Sequence, residues 1–313
     1  MQTANMAPLT QPKTRIYFLD KGASHGTDGH LKGHIASCNP DGSDMKYIVE
    51  NIGSAPDGIT IDVENEHIYY TNMATLATDS GFISRVDMDG QNNIVIVPQG
   101  VTWTPKQIVL ELSQPNKKMY WCDREGMRVF RANLDGSDIE ILVKNGEGDK
   151  DRADATNWCV GISVDQKRGL FYWTQKGPSK GNKGRLFCAG LSMPDGETAE
   201  NRSDKKLLLD KLPEPIDIDL DIENNVLYYT DRGDPPFGNT INKVDLNTAG
   251  EHKKEVLVRK LHEAIGLTLD IRAQKMYFTD LNGSAYSANM DGSDEKVILP
   301  DDGDLTGIVC VYH

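Results

Sequence analysis

Short runs of β-branched and aromatic residues recur along the whole chain, and turn-forming residues separate them. One kind of run is repeated six times, as "IYFLD", "IYYTN", "MYWCD", "FYWTQ", "LYYTD" and "MYFTD". Its tyrosines are spaced at intervals of 52, 51, 52, 56 and 49 residues and are Tyr17, Tyr69, Tyr120, Tyr172, Tyr228 and Tyr277. A period near fifty residues with several strands per unit is typical of a β-propeller.

Further strands and a tight turn complete each repeat. Upstream of the tyrosine strand lies a run that ends in an acid, such as "GITID", "GISVD" or "GLTLD". Downstream lies a turn such as "LDGSD", in which Asp-Gly supplies the positive φ of a hairpin. A strand such as "EKVIL" follows the turn. The sequence therefore predicts six blades of four strands each.

The two ends of the chain predict how the ring closes. The first tyrosine strand has no inner strand before it, and the C-terminal run "GIVCV" has no partner of its own. Pairing of these two segments removes the sheet edges that an open array would expose. We therefore predict an all-β fold with a flexible segment over residues 1–13 and a single six-bladed propeller over residues 14–313.

Charge and composition restrict the partners that the chain can have. The net charge of −13 argues against nucleic acid, because phosphate binding needs clustered Lys and Arg. The sequence contains no run of about 18 apolar residues, so it predicts no membrane span. The first residues lack the apolar stretch of a signal peptide. The five cysteines are scattered without a CxxC pair. Reduced thiols in a cytoplasmic protein are expected, and the sequence identifies no protein partner.

The repeated "YWT" and "LDGSD" segments resemble the YWTD repeat of six-bladed propellers in lipoprotein-receptor ectodomains. The resemblance covers nearly the whole chain and implies the propeller architecture. Receptor propellers are flanked by disulfide-rich modules, and none is present in these 313 residues. The resemblance therefore implies the fold, and the function has to be argued from individual residues.

Unequal loops predict which face of the propeller carries function. The segment between the tyrosine and the next turn is short in blades 3 and 6 and longer in the other four. These loops share a face with the connections that lead into the inner strands, where "NGEGDKDRADATNW" is also long. Loops on a rigid scaffold often carry binding sites. The candidate binding residues on this rim are His25, His30, Trp103, Arg124, Trp158, Arg232 and His262.

Two tyrosine strands lack the final Asp that the other four have. That Asp most simply caps the turn that follows the strand. Asn72 and Gln175 replace it ahead of rearranged loops. We interpret both as accommodation of these loops, with contact to a ligand as the alternative.

The inner strands predict the lining of the central channel, because side chains alternate along a strand. One set of positions holds only Ile, Leu, Val or Cys, as packing between blades requires. The set expected to face the channel is Thr60, Val109, Ser163, Asp219, Thr268 and Val309. One step toward the rim, four blades have Gly where the other two have Gln107 and Asp217.

Asp217 and Asp219 are the candidate catalytic acids, because carboxylates in a narrow channel raise each other's pKa by desolvation and repulsion. One of them could then stay protonated and act as a general acid. The alternative is that they hold water or accept hydrogen bonds from neighbouring backbone amides. A cation site would need more oxygen ligands than the sequence places there, so no metal is expected.

Three classes of function remain open: an enzyme for apolar or aromatic small molecules, a metal-dependent lactonase, and a non-catalytic binding platform. As a whole chain, the protein is also similar to small fungal propellers of secondary metabolism, which include hetero-Diels–Alderases of tropolonic sesquiterpene pathways. That resemblance implies a cofactor-independent enzyme that dehydrates a hydroxymethyl tropolone to an o-quinone methide. The quinone methide then adds to an alkene of a humulene-type terpene.

The residues already singled out can be assigned roles in such a reaction. Asp217 or Asp219 would supply the proton, and Gln107 with the Arg and His residues of the rim would hold the tropolone oxygens. Trp103 and Trp158 would wall the hydrocarbon, since an apolar funnel can bring diene and alkene together in one orientation.

Overall fold

The computed structural model describes residues 13–22, 33–53, 55–75, 78–113, 115, 117–301 and 303–313. Their strands form six antiparallel sheets of four strands each, which confirms the predicted all-β propeller. The innermost strands of successive sheets contact one another around a closed ring. His25 and His30 lie outside the described residues.

The first three blades are numbered along the chain. Blade 1 contains β1 (Thr14–Asp20), β2 (His34–Cys38) and β3 (Lys46–Val49), with β24 (Leu305–Tyr312) as its innermost strand. Blade 2 contains β4 (Pro56–Asp62), β5 (His67–Asn72), β6 (Gly81–Asp87) and β7 (Ile94–Thr102). Blade 3 contains β8 (Pro105–Glu111), β9 (Lys118–Asp123), β10 (Arg128–Asn133) and β11 (Glu140–Lys144).

The remaining blades continue in the same order. Blade 4 contains β12 (Cys159–Asp165), β13 (Leu170–Gln175), β14 (Gly184–Gly190) and β15 (Lys206–Leu212). Blade 5 contains β16 (Pro215–Asp221), β17 (Val226–Asp231), β18 (Thr240–Asp245) and β19 (Lys254–Arg259). Blade 6 contains β20 (Ala264–Asp270), β21 (Lys275–Asp280), β22 (Ala285–Asn289) and β23 (Lys296–Leu299). Helix α1 (Gly148–Arg152) and a 3-10 turn (Ala155–Asn157) lie between blades 3 and 4. Neither has the length or hydropathy to cross a bilayer, nor does any other helix in the described residues.

The C-terminal strand closes the ring as predicted. β24 pairs antiparallel with β1, and Tyr17 lies opposite Val309. β24 also contacts the inner strands of blades 2 and 6. The N-terminal and C-terminal segments therefore share one blade, and the ring has no open edge between its first and last repeats.

The hydrophobic core lies between blades rather than inside a single one. The tyrosine strands β5, β9, β13, β17 and β21 are buried from their second residue to their last, because a sheet faces them on both sides. One cluster joins Cys122 and Val129 of blade 3 to Ile162 and Trp173 of blade 4. Burial on both faces explains the continuous β-branched and aromatic composition of these strands.

The threonine of the repeated motif ties four of the six blades to the next one. In blade 4 the Thr174 hydroxyl accepts a hydrogen bond from the Gly161 amide at 2.7 Å and donates one to the Ile216 carbonyl of blade 5 at 2.7 Å. The same pair of hydrogen bonds is made by Thr71, Thr230 and Thr279. Each hydroxyl therefore satisfies a donor and an acceptor of two different inner strands.

Glycine at the third position of an inner strand permits this close approach. A Cβ on Gly58 would lie 2.6 Å from the Lys106 carbonyl oxygen, which is also the acceptor of the Thr71 hydroxyl. Gly161, Gly266 and Gly307 face the corresponding carbonyl of the next blade in the same way. These glycines are required by contact between strands.

Replacing Thr174 by Val should destabilise the folded chain. The change removes the hydroxyl while keeping the side-chain shape, and it leaves the buried Gly161 amide and Ile216 carbonyl without a partner. We expect the free energy of unfolding to fall by about 1–3 kcal/mol, measured by chemical denaturation. Thr174→Ser keeps the hydroxyl and is the matched control. If both variants lost the same stability, the tie would not be the cause.

Candidate functional site

Every inner strand carries a bulge near its start, which places the first residues differently from the rest. Pairing with the tyrosine strand is irregular between Pro56 and Ile59 in blade 2, and at the matching positions of blades 3, 4, 5 and 6. A bulge adds an unpaired residue and re-aims the side chains beside it. The regular alternation used for the channel therefore applies only after the bulge.

One end of the channel is surrounded by six residues, each of which directly follows a tyrosine strand. The backbone amide of each donates to the carbonyl of the residue directly before the inner strand of the same blade, for example Arg124 to Thr104 at 2.9 Å. We call these six residues the mouth ring and this end of the channel the mouth. The mouth ring is Lys21, Met73, Arg124, Lys176, Arg232 and Leu281. These bonds confirm that the rim loops and the inner-strand connections share one face.

Basic side chains of blades 4 and 5 meet at the mouth around one fully buried carboxylate. Glu214 accepts a hydrogen bond from the Lys176 ammonium at 2.5 Å, and the Arg232 Nε lies 3.0 Å from the same oxygen. The Ser179 hydroxyl and the Lys180 amide also donate to Glu214, at 3.1 Å and 3.0 Å. Glu214 therefore fixes both cations and the start of the blade 4 rim loop.

A second buried ion pair lies at the second position of two neighbouring inner strands. The Lys106 ammonium of blade 3 bonds to the Asp57 carboxylate of blade 2, and only 8% and 2% of these side chains are exposed. The Gln107 amide donates to the other oxygen of Asp57 at 3.3 Å. The Lys106 Nζ also lies 3.5 Å from the sulfur of Met73, a member of the mouth ring. This contact places the ammonium at the base of the mouth.

Two half-buried tryptophans flank these cations. The Arg124 guanidinium lies 5.4 Å and the Lys176 ammonium 5.6 Å from the ring centroid of Trp158. The Arg152 guanidinium stacks on Trp103 at 3.5 Å. Both rings therefore have cations against their faces, and their role in flanking a rim site stays a prediction.

The charges at the mouth influence one another strongly. Burial lowers the pKa of Lys106 to about 8 and also lowers the pKa of Lys176, and Arg124 and Arg232 push both in the same direction. Burial alone would raise the pKa of Glu214, but Arg232 and Lys176 outweigh it and hold that pKa below its ordinary value. A bound anion would relieve the repulsion among these cations.

The central channel is narrow, and it is lined by the predicted channel-facing set together with one aliphatic residue per blade from the set assigned to packing, namely Ile59, Ile108, Ile162, Ile218, Leu267 and Ile308. Its cavity of about 100 Å³ is small beside the roughly 300–1,000 Å³ of typical ligand pockets. The residues lining it include Thr60, Gln107, Val109, Ser163, Asp217, Asp219, Thr268 and Val309. None of the mouth ring lines it, so the channel acids and the rim cations do not share one cavity in the described structure.

The two channel carboxylates bond to backbone amides. Asp217 accepts from the amide of Ile218 at 2.9 Å and from that of Leu267 in blade 6 at 3.0 Å. Asp219 accepts from Leu220 at 2.8 Å and from Leu269 in blade 6 at 2.9 Å. The geometry favours the alternative in which the acids join backbone groups, here as clamps between blades 5 and 6.

The other predicted residues occupy varied positions. The Asn72 side chain is buried in its turn, where it accepts from the Ala74 amide at 2.9 Å and donates to the Ile52 carbonyl at 3.2 Å. Gln175 is buried opposite Cys159, and His262 is exposed just before β20. Asn72 and Gln175 therefore fit the structural interpretation, and neither reaches the mouth by a described contact. The Asp residues at the same position of other blades do cap turns. For example, the Asp231 carboxylate accepts a hydrogen bond from the Gly233 amide at 3.0 Å.

Sequence reasoning missed the residues that carry most of the charge at the mouth. These are Asp57, Lys106, Glu125, Arg152, Lys176 and Glu214. A signal was present for the first two, because a buried inner-strand position that is aliphatic in three blades holds a Lys and an Asp in two others. The bulge hid this signal. Because it interrupts the alternation of side chains, counting back from the regular part of the strand assigns the second position to the wrong face. In the part of the chain that the structure describes, no three His, Cys, Asp or Glu side chains converge as metal ligands would.

Comparison with known proteins places the chain in a class of propellers with repeated YWTD-type strands. No protein-family model matches it. A Pyricularia oryzae protein described as low-density lipoprotein receptor-related protein 1 is 43% identical over 314 residues, covering 96% of this chain and 99% of the relative. The chain therefore belongs to the same family of YWTD-type six-bladed β-propellers as this fungal protein.

Other similarities extend the comparison without fixing the function. The 3-hydroxyacyl-CoA dehydrogenase-like protein LAM1 of Cochliobolus heterostrophus is 40% identical over 246 residues, or 78% of this chain, which spans about half (51%) of that relative. The propeller in a nidogen/laminin complex has a TM-score of 0.71 at 18% identity, covering 95% of this chain and 98% of that one. Enzymes also share the fold, as shown by a gluconolactonase of Xanthomonas campestris with a TM-score of 0.56 at 12% identity, covering 87% and 93%.

Asp219 should make stability depend on pH in a direction opposite to that of an ordinary paired carboxylate. Burial raises its folded-state pKa to about 6, although two backbone amides oppose the shift, whereas an unfolded Asp titrates near about 3.9. Between these values the folded protein binds more protons, so this contribution to the free energy of unfolding falls as pH rises.

Asp219→Asn removes that contribution. Relative to the variant, the wild type should lose up to about 3 kcal/mol of stability as pH rises from about 4 to about 7. Denaturant unfolding of both proteins across this range measures the difference. A difference that did not change with pH would mean that the carboxylate titrates alike in both states.

Proposed function

We propose that the chain is a small-molecule enzyme whose substrate binds at the mouth, and most specifically a cofactor-independent hetero-Diels–Alderase. The observation that carries the proposal is the set of buried and half-buried cations at the mouth, flanked by two tryptophans. A binding platform for a protein would not need charges removed from solvent in this way. A site for a planar, oxygen-rich aromatic anion would use the cations to bind the oxygens and the tryptophans to contact the ring.

The cations suit the oxygens of a tropolone. A guanidinium presents a planar fork of donors that matches two adjacent oxygens, and Arg124 and Arg232 are both about one-fifth exposed at the mouth. Trp158 offers its ring to a flat aromatic substrate beside them. Donors already held in place by Glu125 and Glu214 can stabilise negative charge on the ring oxygens without reorganising.

The reaction itself asks mainly for orientation. Loss of the hydroxyl from a hydroxymethyl tropolone gives an o-quinone methide, whose addition to a terpene alkene forms two bonds in one step. Holding both partners at one mouth makes the addition effectively unimolecular and fixes the reacting faces. The rims of Trp103 and Trp158 provide apolar surface for the hydrocarbon, and water excluded from this surface cannot quench the quinone methide.

The activity can be measured directly by chiral LC–MS of a hydroxymethyl tropolone incubated with humulene and the purified protein. We expect faster formation of one stereoisomeric adduct than in a protein-free control, unaffected by a chelator. A chelator-sensitive hydrolysis of lactones in place of this reaction would support a metal-dependent lactonase. Absence of any turnover would favour a binding platform.

Arg232→Met should lower kcat/KM by roughly a hundredfold, because it removes one donor to the developing charge. The fold should survive, since Glu214 keeps Lys176, Ser179 and the Lys180 amide as partners. Arg272→Met is the matched control: its guanidinium stacks on Tyr312, at the end of β24 away from the mouth. Equal activity of both variants and the wild type would contradict a mouth-centred site.

A further inference from the structure

The second position of the inner strands, at the base of the mouth, is aliphatic in some blades and charged in others. In blades 4, 5 and 6 it holds Val160, Ile216 and Ile265, which form one buried cluster with Leu281 of the mouth ring. In blades 2 and 3 the same position holds Asp57 and Lys106. Blade 1 has Thr306 there, whose hydroxyl donates to the Pro56 carbonyl at 3.1 Å, so aliphatic residues fill this position in three of the six blades.

The ion pair is an expensive substitute for such packing. Removing two charges from water costs several kcal/mol per ion, and well-packed apolar residues often replace a buried pair without loss of stability. The protein itself provides the comparison, since three other blades have an aliphatic residue at the second position of the inner strand. The fold does not require Asp57 and Lys106, which points to a role in chemistry.

The Lys106 ammonium has the geometry of a group that can act on a ligand. Of its three N–H bonds, one is directed to Asp57 and one toward the Met73 sulfur at 3.5 Å. Among the residues that the structure describes, neither a side chain nor a backbone carbonyl accepts from its third N–H, which is therefore available to an oxygen of a bound ligand. Asp57 is itself held by the Gln107 amide at 3.3 Å, which fixes the direction of the pair.

We propose that Lys106 is the proton donor to the leaving hydroxyl, with Asp57 as its positioning residue. This inference rests on the proposed function. In the step, the substrate is bound as the ring-oxygen anion, having released that proton to solvent. A lone pair of the ring oxygen forms a C=O bond, a π pair of the ring becomes the exocyclic C=C bond, and the C–O bond to the hydroxyl breaks. The departing oxygen takes a proton from Lys106 and leaves as water, and solvent returns a proton to the neutral amine.

The surroundings of Lys106 tune it for this transfer. Burial lowers its pKa to about 8, Asp57 opposes that shift, and Arg124 and Arg232 reinforce it. Lys106 also helps to lower the pKa of Glu125, which pairs with Arg124. An ammonium in this environment releases its proton more readily than an ordinary lysine and is still charged at neutral pH. It takes over the role that the sequence had assigned to Asp217 or Asp219, whose oxygens are occupied by backbone amides.

Lys106→Arg tests the proton transfer itself. The guanidinium keeps the positive charge and can keep the pair with Asp57, but it does not release a proton at neutral pH. We expect turnover of the hydroxymethyl tropolone to fall by roughly a hundredfold or more, while tropolone binding, followed by tryptophan fluorescence, stays within a few-fold of wild type. In the wild type, kcat/KM should decline above about pH 8, as the amine of the free enzyme loses its proton.

A substrate with a different leaving group separates chemistry from structure. An acetoxymethyl tropolone loses acetate, which needs no proton, so Lys106→Arg should convert it at a rate close to wild type after subtraction of the uncatalysed reaction. A purely structural role would slow both substrates alike. Equal turnover of the hydroxymethyl substrate by Lys106→Arg and wild type would overturn this inference alone, whereas inactive wild type would overturn it together with the proposed function.

A double variant guards against misfolding. Asp57→Val combined with Lys106→Ile reproduces the aliphatic choice of blades 4 to 6 and leaves no unpaired buried charge. We expect it to fold with a Tm at or above that of wild type and to convert the acetoxymethyl substrate but not the hydroxymethyl one. A folded double variant that retained full activity on the hydroxymethyl substrate would also overturn the inference. Should it fail to fold, the Lys106→Arg comparison decides on its own.

Discussion

The hydroxyl of the motif threonine, placed between the inner strands of neighbouring blades, is the contact on which the rest of the structure depends. It accepts from its own inner strand and donates to the next one, and glycine opposite allows the two backbones to approach. Because four blades make the same bonds, the inner strands start at nearly the same level around the ring. The residues that lead into them and those that follow the tyrosine strands then meet at one end of the channel.

Because the inner strands start at a common level, equivalent residues of all six blades meet at the candidate site. Each mouth-ring residue is fixed by a backbone hydrogen bond, whatever its side chain. The side chains are therefore free to differ between blades, and three consecutive blades supply Arg124, Lys176 and Arg232. The desolvation cost of these cations is offset by Glu125 and Glu214 and by contact with tryptophan rings. The channel below is too narrow for a ligand of two rings, and its acids serve the joint between blades 5 and 6.

The fold could be predicted from the sequence almost completely, since the tyrosine period, the Asp-Gly turns and the unpartnered "GIVCV" run each reflect a local rule. The placement of Thr60, Ser163 and Asp219 on the channel could be predicted as well, because alternation holds after the bulge. The site was harder. Asp57 and Lys106 precede the regular part of their strands, and Lys176 follows the end of its own.

Charge pairing across blades also has no signature along the chain. Lys106 and Asp57 are separated by 49 positions, and Lys176 and Glu214 by 38. The acids of the channel attracted attention because they break a visible repeat, yet their partners are backbone amides that any sequence provides. A residue that breaks a repeat therefore identifies a local constraint. Only its contacts show whether it joins two blades or is available for catalysis.

The central claim is that a ligand binds at the mouth and not in the channel, and a crystal structure of the protein soaked with tropolone tests it most directly. The account predicts that the two ligand oxygens lie about 3 Å from the guanidinium nitrogens of Arg124 or Arg232. It also predicts that the ligand ring lies against Trp158, with its open edge toward Lys106. Tropolone bound beside Asp217 and Asp219, or a mouth that stays empty at saturating ligand, would contradict the account.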